Sequence, residues 1–364
     1  MFFLALASSF ILTITATYFV RRYAVRAQVV DIPDSDRKIH SSPKPLLGGL
    51  AIYLSFTIAL LTLAFFTNSI IGKDITIKAI IGLTLAGAII MLGGYFDDKY
   101  KLSPGKQIIW PILAILVVII SGIGAKAISS PMGGLLHLDI WKIEIIKLGG
   151  MPYYFTVAAD IFTFLWLLGM MYTTKLLDGL DGLATGIGAV GGLIIFGLTQ
   201  FTPFYQPSVG MLAIIFAGAC LGFLVWNWHP ARIFLGEGGS LYLGFILGVL
   251  AIISGAKIAT ALLVMGIPIL DVVWVVGRRI FLDKKSIAHA DRKHLHYRLL
   301  DVGLSQKQAV VLLYFLTATF GVTSLFLRTQ GKVIALFILL VVMALVAGGL
   351  VWFYHKKNKK EGNI

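Results

Sequence analysis

MFFLALASSFILTITATYFVRRYAVR, residues 1–26, begins with an apolar run and ends on Arg21, Arg22 and Arg26. As a helix, the run over 2–20 has the length needed to cross the hydrocarbon core, which takes about 20 residues. No basic stretch precedes it, so it reads as a membrane span rather than a cleaved leader. Lys and Arg gather on the cytoplasmic side of a bilayer. The three arginines therefore predict an outside N-terminus and a cytoplasmic segment over 21–45.

The same pattern recurs along the chain. Its 364 residues are 58% apolar and 13% charged, with a mean hydropathy of +0.90, which excludes an ordinary soluble domain. Eleven spans are predicted, at about 2–20, 46–66, 77–95, 108–124, 156–176, 183–199, 209–227, 239–254, 256–277, 307–327 and 331–354. Alternating from the first places about three quarters of the 31 Lys and Arg, including the tail HKKNKKEGNI, on the cytoplasmic side. The predicted fold class is thus an all-α polytopic membrane bundle of one domain, 1–364, with a cytoplasmic C-terminus. The net charge of +14 belongs to these inner loops rather than to nucleic-acid binding. Cys220, the one cysteine, lies inside a span, so no disulfide framework exists.

Polar chemistry is concentrated in the predicted inner segments 21–45, 96–107, 175–182, 227–238 and 278–306. The outer face is plain apart from LLHLDIWKIEIIKLGG, whose partial alternation predicts a small hairpin near 130–150. In GGYFDDKYKLSPGK, residues 93–106, Asp97 and Asp98 are adjacent at a membrane edge, where two carboxylates need a metal ion or lysines such as Lys99, Lys101 and Lys106 beside them. A solvated acidic loop is the plainer reading. In TTKLLDGLDGLATG, residues 173–186, Asp178 and Asp181 would share a face if helical, with glycines that let a ligand approach. A capped turn explains one such Asp-Gly pair better than two.

NWHPARIFLGEGGSLYLGF, residues 227–245, sets Glu237 among glycines at a helix start, where free amides suit phosphate and a carboxylate suits a metal. Phe234 could stack on a base or simply pack at the membrane edge. HADRKHLHYRLLDVG, residues 289–303, lacks the ligand set of a zinc site and reads better as pyrophosphate contacts. Arg37, Lys38, His40 and Lys44 cluster in DRKIHSSPKPLLGG, residues 36–49. No phosphate-binding GxxxxGK[ST] loop, GxSxG elbow or CxxC pair is present. Acids and cations converging on one membrane face suit transfer of a phosphate group between a soluble nucleotide and a lipid.

In order, RKIHSSPKPLLGG, GGYFDDKYKLSPGK, LLDGLDGLA, NWHPARIFLGEGGS, PILD and ADRKHLHYRLL resemble the polyprenyl-phosphate N-acetylhexosamine-1-phosphate transferase family. The resemblance covers about residues 20–310, and the DRxHxH form is more similar to the GlcNAc-1-phosphate branch than to the phospho-MurNAc-pentapeptide transferases. It implies transfer of GlcNAc-1-phosphate from UDP-GlcNAc, or a related UDP-N-acetylhexosamine, to polyprenyl phosphate with release of UMP. Teichoic acid, O-antigen, lipopolysaccharide or similar cell-wall polymers would follow. Magnesium, with manganese as an option, is the implied cofactor, held by Glu237, Asp97 and Asp98. The implied catalytic residues are Asp97, Asp98, Asp178 and Asp181. Substrate binding falls to Lys44, Lys106, Asp181, Phe234, Arg292, His294 and His296. The implied partners are the UDP-sugar, the lipid and the plasma membrane, with a homodimer left open and no nucleic acid. Alternatives are a pentapeptide-carrying donor, a transporter or an inactive homologue.

Four positions depart from the family pattern. Tyr172 and Lys175 stand where it has asparagines, Glu237 where it has aspartate, and Tyr297 where it has histidine. Lysine is a donor only and cannot replace an oxygen ligand.

Overall fold

The computed structural model describes residues 1–33, 42–72, 74–130, 134–148, 151–255, 257–281, 283–284 and 293–360. The opening run forms helix α1 (Phe2–Arg26), and strands β1 (Val30–Asp31) and β2 (Lys44–Pro45) pair antiparallel after it. Helices α2 (Gly48–Phe66) and α3 (Ile77–Tyr100) follow; the Thr76 hydroxyl caps α3 by accepting from the Ala79 N–H at 3.2 Å. Pro104 opens the short α4 (Pro104–Gln107), which leads into α5 (Ile109–Ile120). Beyond these lie β3 (Ala127–Ser129), β4 (Leu135–His137), β5 (Lys142–Leu148) and β6 (Met151–Thr156), paired as two hairpins, β3–β4 and β5–β6. Strand pairing is thus present near 130–150, but as two hairpins: the quoted stretch gives one strand to each, β4 pairing back to β3 and β5 forward to β6.

The second half is helical: α6 (Val157–Leu177), α7 (Leu183–Phe201), α8 (Pro207–Asn227), α9 (Gly236–Ile253), α10 (Ile258–Val264), α11 (Gly266–Phe281), α12 (Leu295–Asp301), α13 (Gln306–Phe326) and α14 (Thr329–Lys360). Among the described residues nine helices are long and apolar enough to cross a membrane, and α10 with α11 forms a further apolar pair bent by 76°, the shape of a broken span or a re-entrant loop. Each of the eleven predicted runs is helical, but the fourth, α4 with α5, is shorter than the other single helices. The chain is a multi-pass helical membrane protein.

Helices α7, α8 and α9 form the buried centre, while α14 lies at the periphery. Apolar side chains do not drive association inside lipid, so close backbone packing must. The GACLG stretch of α8 supplies it: a Cβ on Gly218 or Gly222 would lie 2.5 Å from the Leu6 carbonyl oxygen or 2.4 Å from that of Phe10. Ser9 on α1 donates across the same seam to the Ile215 carbonyl at 2.7 Å. Phe3, Phe65, Phe66, Phe315, Phe326 and Phe337 point outward and are exposed, as side chains facing lipid would be.

At one end of the bundle the connections lock together. The Phe234 N–H donates to Pro45, Gly48 donates back to Phe234, and Gly49 donates to Leu235. The same end holds the termini of α3, α6 and α9.

Candidate active site

A cavity of about 700 Å³ opens at this end, with Asp97, Asp98, Asp178, Asp181, Glu237, Lys44, Lys175 and Phe234 among its lining residues. Its size lies within the usual range of ligand sites, roughly 300–1,000 Å³. Five loops that are far apart in sequence thus meet, as the clustering of their polar residues predicts.

The acids come from three places: the last turn of α3, the turn between α6 and α7, and the start of α9. Asp97, in the last turn of α3, accepts from the Leu102 N–H at 2.8 Å and from Gln107 Nε2 at 3.0 Å, both on Oδ1. Asp98 accepts from the Glu237 N–H at 3.0 Å and so ties α3 to the start of α9. That amide is no longer free for a phosphate, unlike the reading of a glycine-rich helix start. Gly236 has φ of +77°, and a Cβ there would meet Asp98 Oδ2 at 2.5 Å, so glycine is required.

Asp178 and Asp181 do not share a helix face. They lie in the turn between α6 and α7, because α6 ends at Leu177 and Gly182, at φ of +78°, starts α7 from a left-handed conformation. Both still line the cavity. Asp181 Oδ2 pairs with His229 Nδ1 at 2.7 Å and accepts from the Ala231 N–H at 3.0 Å. Asn227 accepts from the Gly182 N–H at 3.1 Å and donates to the Ile233 carbonyl at 3.0 Å, joining the same two loops. His229, Asn227 and Gln107 were missed by the sequence reading. Polar residues flanking quoted motifs were the available signal, and only contact across the fold gives them partners.

Burial, followed by the charges of Glu237 and Asp181, pushes the Asp178 pKa from 3.8 up to about 7. Between these values the folded protein keeps a proton that the unfolded chain has lost, so this group lowers stability as pH rises from about 4 to 7. Asp178→Asn removes that cost. Without substrate, the variant is expected to gain thermal stability over the parent at pH 8 and little at pH 4. An equal gain at both pH values in thermal unfolding would refute it.

His294 and His296 are buried behind the cavity rather than among its lining residues. His294 Nδ1 pairs with Asp271 at 2.8 Å, and the same carboxylate accepts from the Leu295 N–H at 2.8 Å. Asp271, of the PILD block, therefore positions the histidine loop. The His296 ring stacks on His294 with centroids 5.7 Å apart. Burial holds its imidazole neutral, with a pKa pushed down to about 4. Tyr297 reaches the lining in place of these histidines. Lys106 is exposed and does not line the cavity. Arg292, with Arg37, Lys38, His40, His289 and Asp291, lies outside the described residues.

Residues 80–255 match Glycosyl transferase family 4. A probable undecaprenyl-phosphate N-acetylglucosaminyl 1-phosphate transferase of Bacillus subtilis is 29% identical, the alignment covering 92% of this chain and 87% of that protein. A decaprenyl-phosphate N-acetylglucosaminephosphotransferase of Mycolicibacterium smegmatis is 30% identical, covering 92% and 85%. The chain belongs to the polyprenyl-phosphate N-acetylhexosamine-1-phosphate transferase family. It is a sugar-1-phosphate transferase. A phospho-N-acetylmuramoyl-pentapeptide-transferase of Rickettsia canadensis is 28% identical over 89% of this chain and 91% of its own length.

The residues expected to hold magnesium in this transferase, Glu237, Asp97 and Asp98, do not fit a divalent ion as arranged. Lys175 forms an ion pair with Glu237 Oε1, and its ammonium also donates to Gln107 Oε1 at 3.1 Å. Asp97 and Asp98 each spend one oxygen on backbone N–H groups. Among the described residues, no three His, Cys, Asp or Glu side chains converge as a metal-holding group. An ammonium in the midst of the carboxylates competes with a cation for the same oxygens.

Proposed function

We propose that this transferase moves GlcNAc-1-phosphate from UDP-GlcNAc to undecaprenyl phosphate, releasing UMP, at the cytoplasmic face of the plasma membrane. The product would begin a cell-envelope polysaccharide. The observation that carries this reading is the cavity, which puts carboxylates and the cations Lys44, Lys101 and Lys175 at one end of a membrane bundle. The Bacillus subtilis and Mycolicibacterium smegmatis relatives are named for GlcNAc transfer to polyprenyl phosphates, which supports the donor and acceptor proposed. The arginines after α1 support the cytoplasmic assignment.

In this reaction an oxygen of the lipid phosphate attacks the phosphorus carrying the sugar. A new P–O bond forms, the P–O bond to the UMP phosphate breaks, and UMP leaves with the electron pair. The chemistry demands little covalent help and much positioning of anions. Lys44 and Lys175 line the cavity where they can reduce the repulsion between lipid phosphate and diphosphate. Phe234 offers a flat apolar surface for the uracil. Asp181, gripped by His229 and Ala231, holds the α6–α7 turn against the 227–235 loop and closes the nucleotide side.

Asp97 is better suited to organising the site than to removing a proton. Two donors already occupy Oδ1, and lipid phosphate, with a second pKa of about 6, is mostly ionised at neutral pH.

Purified protein in lipid nanodiscs with undecaprenyl phosphate tests the reading. UDP-GlcNAc, UDP-GalNAc and UDP-MurNAc-pentapeptide are supplied in turn, with and without magnesium, and UMP is measured. Release is expected with UDP-GlcNAc. Release from the pentapeptide donor alone would replace the proposed donor, and release from none would overturn the function.

A further inference from the structure

Three of the four departures from the family pattern meet at one atom. Lys175 Nζ pairs with Glu237, lies 5.5 Å from the centre of the Tyr172 ring and donates to Gln107. Gln107 in turn donates to Asp97 at 3.0 Å. The ammonium is thus held by a carboxylate, an amide oxygen and an aromatic face, and it lines the cavity.

This arrangement has a direction to it. A carboxylate only accepts, so Asp97 obliges Gln107 to present its NH2 group there and its carbonyl oxygen to Lys175. Glu237 neutralises the ammonium from the α9 side, and Tyr172, one turn back on α6, faces its positive charge with a π-surface. A lysine placed by chance at a membrane edge would snorkel toward water. Here it is drawn inward by groups on α4 and α9, with Tyr172 of its own helix behind it.

We propose that Lys175 takes the place of a divalent cation, so that the diphosphate of the nucleotide is held by a protein ammonium and the transferase needs no bound metal. This rests on the reading of the cavity as a nucleotide-diphosphate-sugar site. The carboxylates then serve to fix the ammonium rather than to ligate an ion. The longer side chain at 237 fits the role, since Glu237 must reach Lys175 across the gap between the α6 end and the α9 start. No step of the transfer changes: the same P–O bond forms and the same one breaks, with UMP leaving.

The test compares the wild-type protein in excess EDTA and in saturating magnesium, reading both UMP release and UDP binding by calorimetry. Chelation of a metal-dependent transferase would cost more than about a hundredfold in rate, because the ion stabilises the developing charge. The expected result is a rate in EDTA within about tenfold of that in magnesium, with UDP affinity equal in the two buffers. Wild-type protein that releases UMP in magnesium but not in EDTA overturns the role of Lys175 and leaves the function standing. Absence of UMP release and UDP binding in every buffer overturns the function, and this proposal with it. A second arm uses the double variant Lys175→Asn, Glu237→Asp, which restores oxygen ligands. It is expected to bind manganese, seen by paramagnetic resonance, and to be stimulated by magnesium more than about tenfold. A double variant as indifferent to both metals as the parent counts against the proposal.

Discussion

Replacing Asp97 by asparagine is expected to lower kcat for UMP release about a hundredfold while leaving the fold in place. An amide oxygen can still accept from Leu102 and Gln107, so the α3–α4 corner keeps its hydrogen bonds. What is lost is the negative charge. The Leu102 N–H keeps the asparagine oxygen facing Gln107, so the corner stays in place while the charge that polarises Gln107 toward Lys175 is gone. The effect is expected to persist as pH rises above 7, because the lipid phosphate, with a second pKa of about 6, is by then ionised without help. Kinetics from pH 6 to 9 and a melting curve check this. Recovery of the rate at high pH would identify Asp97 as a general base instead, and an unchanged kcat would remove it from the machinery.

A comparable loss, about a hundredfold, is expected from Gly179→Ala, because a shift of roughly 1 Å in a positioned group has that order of cost. A Cβ at Gly179 would lie 2.2 Å from His296 Nε2 and 3.0 Å from the Tyr297 hydroxyl. His296 cannot retreat easily, since it is buried and stacked on His294, which Asp271 holds. The turn carrying Asp178 and Asp181 must therefore move. Gly277→Ala, where a Cβ would meet nothing within 4 Å, serves as the control and should leave the rate unchanged. UMP-release kinetics of the two variants decide the matter. Full activity in Gly179→Ala would mean that the turn is not rigidly placed.

Periodicity and composition made the architecture legible early. An apolar run long enough to cross a bilayer has little choice but to be helical there, because unpaired backbone groups are costly in hydrocarbon. All eleven apolar runs are helical for this reason. Hydropathy could not tell that the fourth is short or that the ninth breaks into α10 and α11 at 76°, because it does not register a bend. Alternation in 135–150 made strands legible there but not their partners: β4 pairs back to β3 and β5 forward to β6, outside the stretch that alternates.

The site divides in a similar way. Asp97, Asp98, Asp178, Asp181, Glu237, Lys44 and Phe234 stood out as polar or aromatic residues at membrane edges, and all seven line the cavity. Asp178 and Asp181 lie in a loop, as the inner segment 175–182 predicts, and the shared face they would have on a helix is absent because Gly182 starts α7 from a left-handed conformation. His294 and His296 were assigned to the substrate, whereas both are buried behind the wall and His294 pairs with Asp271. Spacing could not reveal this, as Asp271 is 23 residues away on another helix.

By itself the sequence determined a multi-pass helical chain with its acids and cations gathered at one set of loop ends, because burying apolar runs in lipid leaves polar residues nowhere else to go. It also identified Lys175 as out of pattern. Only the tertiary structure decided what Lys175 does there, because an ammonium takes its meaning from its partners. Tyr172 lies one turn back on the same helix, but Glu237 and Gln107 come to it from two other elements, and a contact between elements is set by packing geometry that local sequence does not encode.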